Sequence, residues 1–96
     1  MRLTFHPKAR AEYRQAVEFY KAESMKLGRE FAAEVRAAID SLLTMPEAGS
    51  PDVHGTRRKL VRQFPFVIVY QVLDGVVRIV AFMHQRQKPG YWKSRL

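Results

Sequence analysis

The sequence predicts an α+β domain, an N-terminal two-helix hairpin packed on one face of a small twisted antiparallel β-sheet. Three observations carry this. Phe66 to Val72 is a nearly unbroken apolar run rich in β-branched residues, too apolar for a half-exposed strand, so it reads as the central strand. Two apolar stripes at helical spacing precede it. Asp74-Gly75 follows it, a strong signal for a tight hairpin turn into one more strand. A chain of 96 residues suffices for one small domain, and 47% hydrophobic content allows a real core.

In chain order, Leu3-Thr4-Phe5 alternates and is ended by His6-Pro7, giving an edge strand. Pro7 suits the first turn of a helix, where its missing N–H costs nothing. Tyr13, Val17 and Tyr20 then repeat with Ala9 and Ala16 on one side, while Arg10, Arg14, Glu18 and Lys21 lie mostly opposite. That is an amphipathic helix of about 16 residues. Ser24-Met25-Lys26 is a brief break. Leu27, Phe31, Val35, Ala38, Ile39 and Leu42 form the second stripe, ending before Pro46. Two helices so closely joined pack as a hairpin, and their aromatic stripe is core. Pro46 to Thr56, with two Pro and two Gly, reads as a surface loop. Val76 to Met83 is the last strand. The sheet face away from the helices is expected to be partly open and lined by basic side chains.

Charge is distributed unevenly. Residues 1–50 carry eight cations and seven anions, whereas residues 51–96 carry nine cations and two anions, Asp52 and Asp74. An excess this lopsided points to a polyanionic or acidic partner for the C-terminal half. There is no cysteine, hence no disulfide framework and no thiolate metal site. No apolar run approaches the roughly 18 residues of a membrane span. The N-terminal Met1-Arg2-Leu3-Thr4-Phe5 lacks a signal-peptide core. A cytoplasmic protein with no membrane contact is expected.

Two cationic segments are candidate binding sites. On a strand from Arg57 to Arg62, Arg58, Leu60 and Arg62 would share one face, with Lys59 and Val61 on the other. Arg58 and Arg62 would stand about 13 Å apart, a spacing for two phosphates or two carboxylates. The same cations would also deter edge-to-edge strand pairing. The second segment runs from His84 to Arg95. Metal-free RNA cleavage needs a base, an acid and a cation for the phosphate, and His84, Tyr91 and Arg86 have that chemistry. Tyr91 or Trp92 could stack a base, although Trp92 fits better as a cap on the core. No Gly-rich phosphate loop, paired-histidine motif or nucleophile elbow is present, and neither a metal nor a cofactor is expected.

The two-helix start, the Arg-x-Leu-x-Arg-x-Phe-Pro-Phe-x-Ile-x-Tyr segment (Arg58 to Tyr70) and His84-x-Arg86-x-x-Pro89-x-Tyr91-Trp92 together resemble the ParE branch of the RelE/ParE toxin superfamily. The likeness runs from Phe5 to Arg95. It implies the RelE/ParE-like fold and a toxin neutralised by a cognate acidic antitoxin in a toxin–antitoxin hetero-oligomer. RelE-like members cleave mRNA on the ribosome with Lys, Arg and Tyr side chains. Aligned on Val69-Tyr70-Gln71-Val72, one of their cationic positions falls on Arg58, but others fall on Leu60 and Val67. Arg86 matches the Arg after the last strand, and Tyr91 lies near the tail Tyr. ParE-like members instead poison DNA gyrase by contact, and this chain resembles them more. The resemblance makes Arg58, Lys59, Arg62, Arg86, Tyr91, Lys93 and Arg95 the expected target-contact residues. It leaves His84, Arg86 and Tyr91 as the set for the ribonuclease alternative. A third alternative is a degenerate toxin that acts only as an antitoxin-binding co-repressor.

Overall fold

The computed structural model describes all residues, 1–96. Strand β1 (Arg2–Phe5) leads into helices α1 (Pro7–Glu23) and α2 (Met25–Thr44), followed by β2 (Ser50–Pro51), β3 (Arg57–Leu60), β4 (Phe66–Leu73) and β5 (Val76–His84). The strands form one five-stranded sheet in the order β1-β5-β4-β3-β2, which puts β4 at its centre.

Local chemistry sets each boundary. The His6 side chain accepts a hydrogen bond from the Lys8 N–H and caps α1, with Pro7 in the first turn. Ser24 alone separates the helices, a shorter break than Ser24–Lys26. Its N–H ends α1 on the Tyr20 carbonyl, and its Oγ starts α2 by accepting from the Leu27 N–H at 2.9 Å. So sharp a reversal needs Gly28, because a Cβ there would overlap the Lys21 side chain. At the other end Asp74 (φ 50°) and Gly75 (φ 76°) form the two-residue turn between β4 and β5. Both positive φ values match the primed turn that right-twisted strands require.

Three expectations need correction. The sheet is not wholly antiparallel, because β1 pairs parallel to β5. The Pro46–Thr56 loop contains β2 and a 3₁₀ turn, Val53–Gly55. Tyr70 holds that loop from below, donating to the Pro46 carbonyl at 2.7 Å and accepting from the Gly49 N–H at 3.1 Å. Arg57 adds bonds to the Glu47 and Gly49 carbonyls. Finally, the sheet face away from the helices is covered over β4 and β5, and is open only at β3, where Arg58 and the exposed Leu60 stand opposite Val69 and Val67.

A bulge in β5 explains how both faces are filled. Val69 pairs with Ala81 but Tyr70 with Ile79, so Val80 is the extra residue. The insertion reverses which side chains face the helices beyond it. Val77, Ile79 and then Phe82 join the helix-side core with Phe31, Val35, Leu42, Ile68 and Tyr70. Val80, Ala81 and Met83 join Val67 and Val69 on the far face, where Trp92 covers them with 0% exposure. Trp92 as a core cap is therefore what the structure has. At the centre of the helix-side core, the Phe31 ring lies 4.7 Å from Tyr20, 5.0 Å from Phe64 and 5.5 Å from Phe66 between centroids.

Candidate functional site

The candidate residues fall into three groups. Arg58 and Lys59 lie on β3, but the strand stops at Leu60 and Gln63 turns with φ 69°. Arg62 is therefore on an exposed turn, not four residues along the strand face from Arg58. The turn still gathers the cations. Arg58, Lys59 and Leu60 line one hollow of about 410 Å³, and Lys59, Leu60 and Arg62 line a neighbouring one of about 210 Å³ against α2. Leu60 sits between them, 58% exposed. Arg58 on Leu60's own face of β3, Lys59 on the opposite face and Arg62 on the turn surround the exposed leucine, with Glu34 of α2 in the second hollow, so this edge is a mostly basic patch with an apolar centre.

His84 and Arg86 lie where β5 ends. His84 Nδ1 accepts from the Arg86 N–H at 3.0 Å, and its ring meets Phe66 edge-on. Because Nδ1 accepts, the neutral ring carries its proton on Nε2, and its one basic lone pair is already engaged. Arg86 itself is exposed. His84 also lines a groove of about 480 Å³ with Glu12, Gln15, Phe19, Tyr20 and Phe82.

Tyr91 and Arg95 belong to the third group, centred on a residue that the helical pattern had passed over. Glu12 accepts from the Tyr91 hydroxyl at 2.8 Å, and from the Arg95 guanidinium at 2.9 Å through both carboxylate oxygens. It also accepts the Phe82 backbone N–H at 3.0 Å. Arg95 further donates to the Val80 carbonyl at 3.0 Å, the bulged residue. These are edge groups of β5 that β1 leaves unpaired, since β1 ends at Phe5 opposite Ile79. Buried backbone polar groups need partners, and here side chains supply them. Glu12 had a signal in the sequence. Ala9, Glu12, Tyr13 and Ala16 follow the i, i+3, i+4, i+7 spacing of an inward face. Lys93, by contrast, stands exposed on the 3₁₀ turn Lys93–Arg95.

The electrostatics follow from this packing. Burial, then the bond to Glu12, pushes the Tyr91 phenol well above its usual range. Burial acts to raise the Glu12 carboxyl, but the bonds from Arg95, the Phe82 amide and Tyr91 together hold it below the ordinary carboxylate value. A depressed folded-state pKa stabilises the fold above the unfolded value of about 4.3, and that contribution is lost as pH falls through the folded value. Urea midpoints measured between about pH 6 and about pH 3 should therefore fall less steeply in Glu12→Gln than in the unaltered chain. An equal slope would mean that Glu12 is not the responsible group. His6, held low by burial and then by Arg78 and Arg95, adds its own loss at higher pH, nearer the ordinary histidine value.

No cluster of three or more His, Asp or Glu side chains comes together in metal-binding geometry. No helix is long and apolar enough to cross a membrane.

No curated protein sequence matches the chain. A solved structure described as a chromosomal ParDE TA system from P. aeruginosa is similar, with a TM-score of 0.56 and 20% sequence identity over 88% of this chain and 95% of that one. At that identity the likeness is one of fold: two helices on a mostly antiparallel sheet. The family model described as ParE toxin of type II toxin-antitoxin system, parDE, matches residues 3–89. On that match, the chain belongs to the ParE toxin family of type II toxin–antitoxin systems.

Proposed function

We propose that this toxin stops growth by binding an essential protein, DNA gyrase, and that a cognate acidic antitoxin neutralises it. The observation that carries the reading is the Arg58–Lys59–Arg62 patch around exposed Leu60. An apolar anchor within a charged rim is how protein interfaces are built, and the cations steer an acidic partner toward it. The arrangement of the polar residues supports binding over hydrolysis. The Nδ1 of His84 accepts from a backbone amide and the Tyr91 hydroxyl is turned to Glu12, so both groups are engaged within the fold rather than presented outward.

The antitoxin reading rests on charge and on an open edge. Strand β2 pairs only with Arg57 and Arg58, which leaves the outer side of Lys59 and Leu60 for an added strand. An acidic segment laid there would meet Arg58, Lys59 and Arg62. Coexpression should yield a toxin–antitoxin hetero-oligomer that dissociates at high salt more readily than an apolar interface would. The cytoplasm is where both partners would meet.

The test is induced expression in bacteria, following growth, plasmid supercoiling and message integrity together. Arrest with relaxed plasmid or DNA damage, and intact message, is the expected result. Cut message would restore the ribosome-dependent nuclease with His84, Arg86 and Tyr91. No arrest would leave an antitoxin-binding co-repressor. Arg62→Ala with Arg86→Ala changes two exposed side chains and should relieve arrest with little loss of stability, within about 0.5 kcal/mol. Undiminished arrest by that folded variant would sink the contact assignment.

A further inference from the structure

The segment after β5 is a strap fixed at both ends. At its start, Gln87 Oε1 accepts from the His84 N–H at 2.8 Å, and the Gln87 N–H donates to the His84 carbonyl at 3.0 Å. At its far end, Tyr91 and Arg95 reach Glu12 around the outer edge of β5. Between and beside these anchors stand three exposed cations, Arg86, Lys88 and Lys93. The two ends are not equally secure. Trp92 is fully buried against the far face of the sheet, yet its indole Nε1 has no hydrogen-bond partner. A buried unpaired donor works against the seat. The polar hold therefore comes from Glu12 and from two smaller contributions, Arg95 on the Val80 carbonyl and Arg78 on the Arg95 carbonyl at 3.1 Å. Glu12 is the one residue outside the C-terminal half that fastens the strap through its side chain, and the matched family region ends at residue 89, before these anchors.

We propose that Glu12 is a positioning residue for toxicity, holding the strap so that Arg86, Lys88 and Lys93 form a fixed constellation for the target. It touches no target itself. Its carboxylate acts through Tyr91 and Arg95, converting a flexible basic tail into a preordered surface that binds without first losing that freedom. The proposal rests on the reading above that Arg86 and Lys93 meet the target, and adds Lys88 to them.

Trp92 is the single tryptophan, so its emission reports the seat directly. The experiment compares purified Glu12→Gln with the unaltered chain by Trp92 emission, by trypsin cleavage after Arg86 and Lys93, and by helical content, alongside arrest in cells at matched expression. The expected result is a red-shifted emission and faster tail cleavage with helical content kept, together with loss of arrest. Val35→Ala, a helix-side core variant, serves as the control for simple destabilisation and should keep both the buried emission and the arrest. An unshifted emission in Glu12→Gln would overturn the proposal, because the carboxylate would not be holding the tail. A released tail with full arrest would overturn it too. Arg86→Ala with Lys93→Ala in the unaltered background separates the two premises. If that variant loses arrest while Glu12→Gln keeps it, positioning fails alone. If that variant keeps arrest, the contact reading fails with it. Should Glu12→Gln not fold, Tyr91→Phe removes one bond from the same carboxylate and is expected to shift the emission partway and weaken arrest.

Discussion

Replacing Phe31 with alanine should cost about 3–5 kcal/mol, the range for removing a large aromatic side chain from a closed core. Phe31 has 0% exposure and lies where both helices meet the sheet. Its ring is within 6.2 Å, centroid to centroid, of Tyr13, Tyr20, Phe64, Phe66 and Phe82. These neighbours come from α1, from the turn before β4 and from strands β4 and β5, so no one of them can move into the void without leaving another contact. A domain of this size holds roughly 5–15 kcal/mol in total, so the loss takes a large share. Thermal unfolding should move down by on the order of 20 °C. A fall of only a few degrees would show that the aromatic cluster closes over the gap.

Trp92→Ala should cost slightly less, about 3 kcal/mol, because two effects oppose each other. The indole covers Val67, Val69, Val80, Ala81 and Met83, and removing it exposes that face. Its unpaired Nε1 leaves as well, which returns about 1–3 kcal/mol. Trp92→Phe isolates the second effect. It keeps most of the cover and discards the orphaned donor, so its cost should be under about 1.5 kcal/mol. Urea unfolding of both variants checks the comparison. A loss in Trp92→Phe as large as that in Trp92→Ala would mean that a phenyl ring does not replace the cover on that face. The Ala variant should also free Arg86 and Lys93 from the fixed tail and weaken arrest in cells, with α1 and α2 kept.

The helices and the β4–β5 hairpin were legible because their signals are local. The Tyr13–Val17–Tyr20 and Phe31–Val35–Leu42 stripes state a helical period, and Asp74-Gly75 states a turn, within a few residues of each other. What stayed hidden depends on partners far along the chain. Nothing in Leu3-Thr4-Phe5 says that it will lie parallel to Val77–Ile79. An apolar run such as Val76–Met83 reads the same with or without a bulge, so the change of face at Val80 left no trace in the pattern. The candidate site divides in the same way. Arg58 and Lys59 were placed on the right strand, but the end of that strand at Leu60 was missed because Val61-Arg62 continues the alternation. Tyr91 and Arg95 looked like free contact residues because Glu12, their partner, lies 79 and 83 positions away.

That separation bears on when the molecule is finished during synthesis. Strand β1 is made first but must wait for β5, the last strand, before it has a neighbour. Glu12 must wait longer still, for Arg95, 83 positions on. Translation delivers roughly 5–20 residues each second, so the two ends appear several seconds apart. Through that interval the helical hairpin can form, but the sheet lacks an edge and its far face lacks a cover. The fold therefore closes only once Arg95 has been made, and a chain cut short of it leaves the Glu12 carboxylate and the Val80 carbonyl without their guanidinium partner.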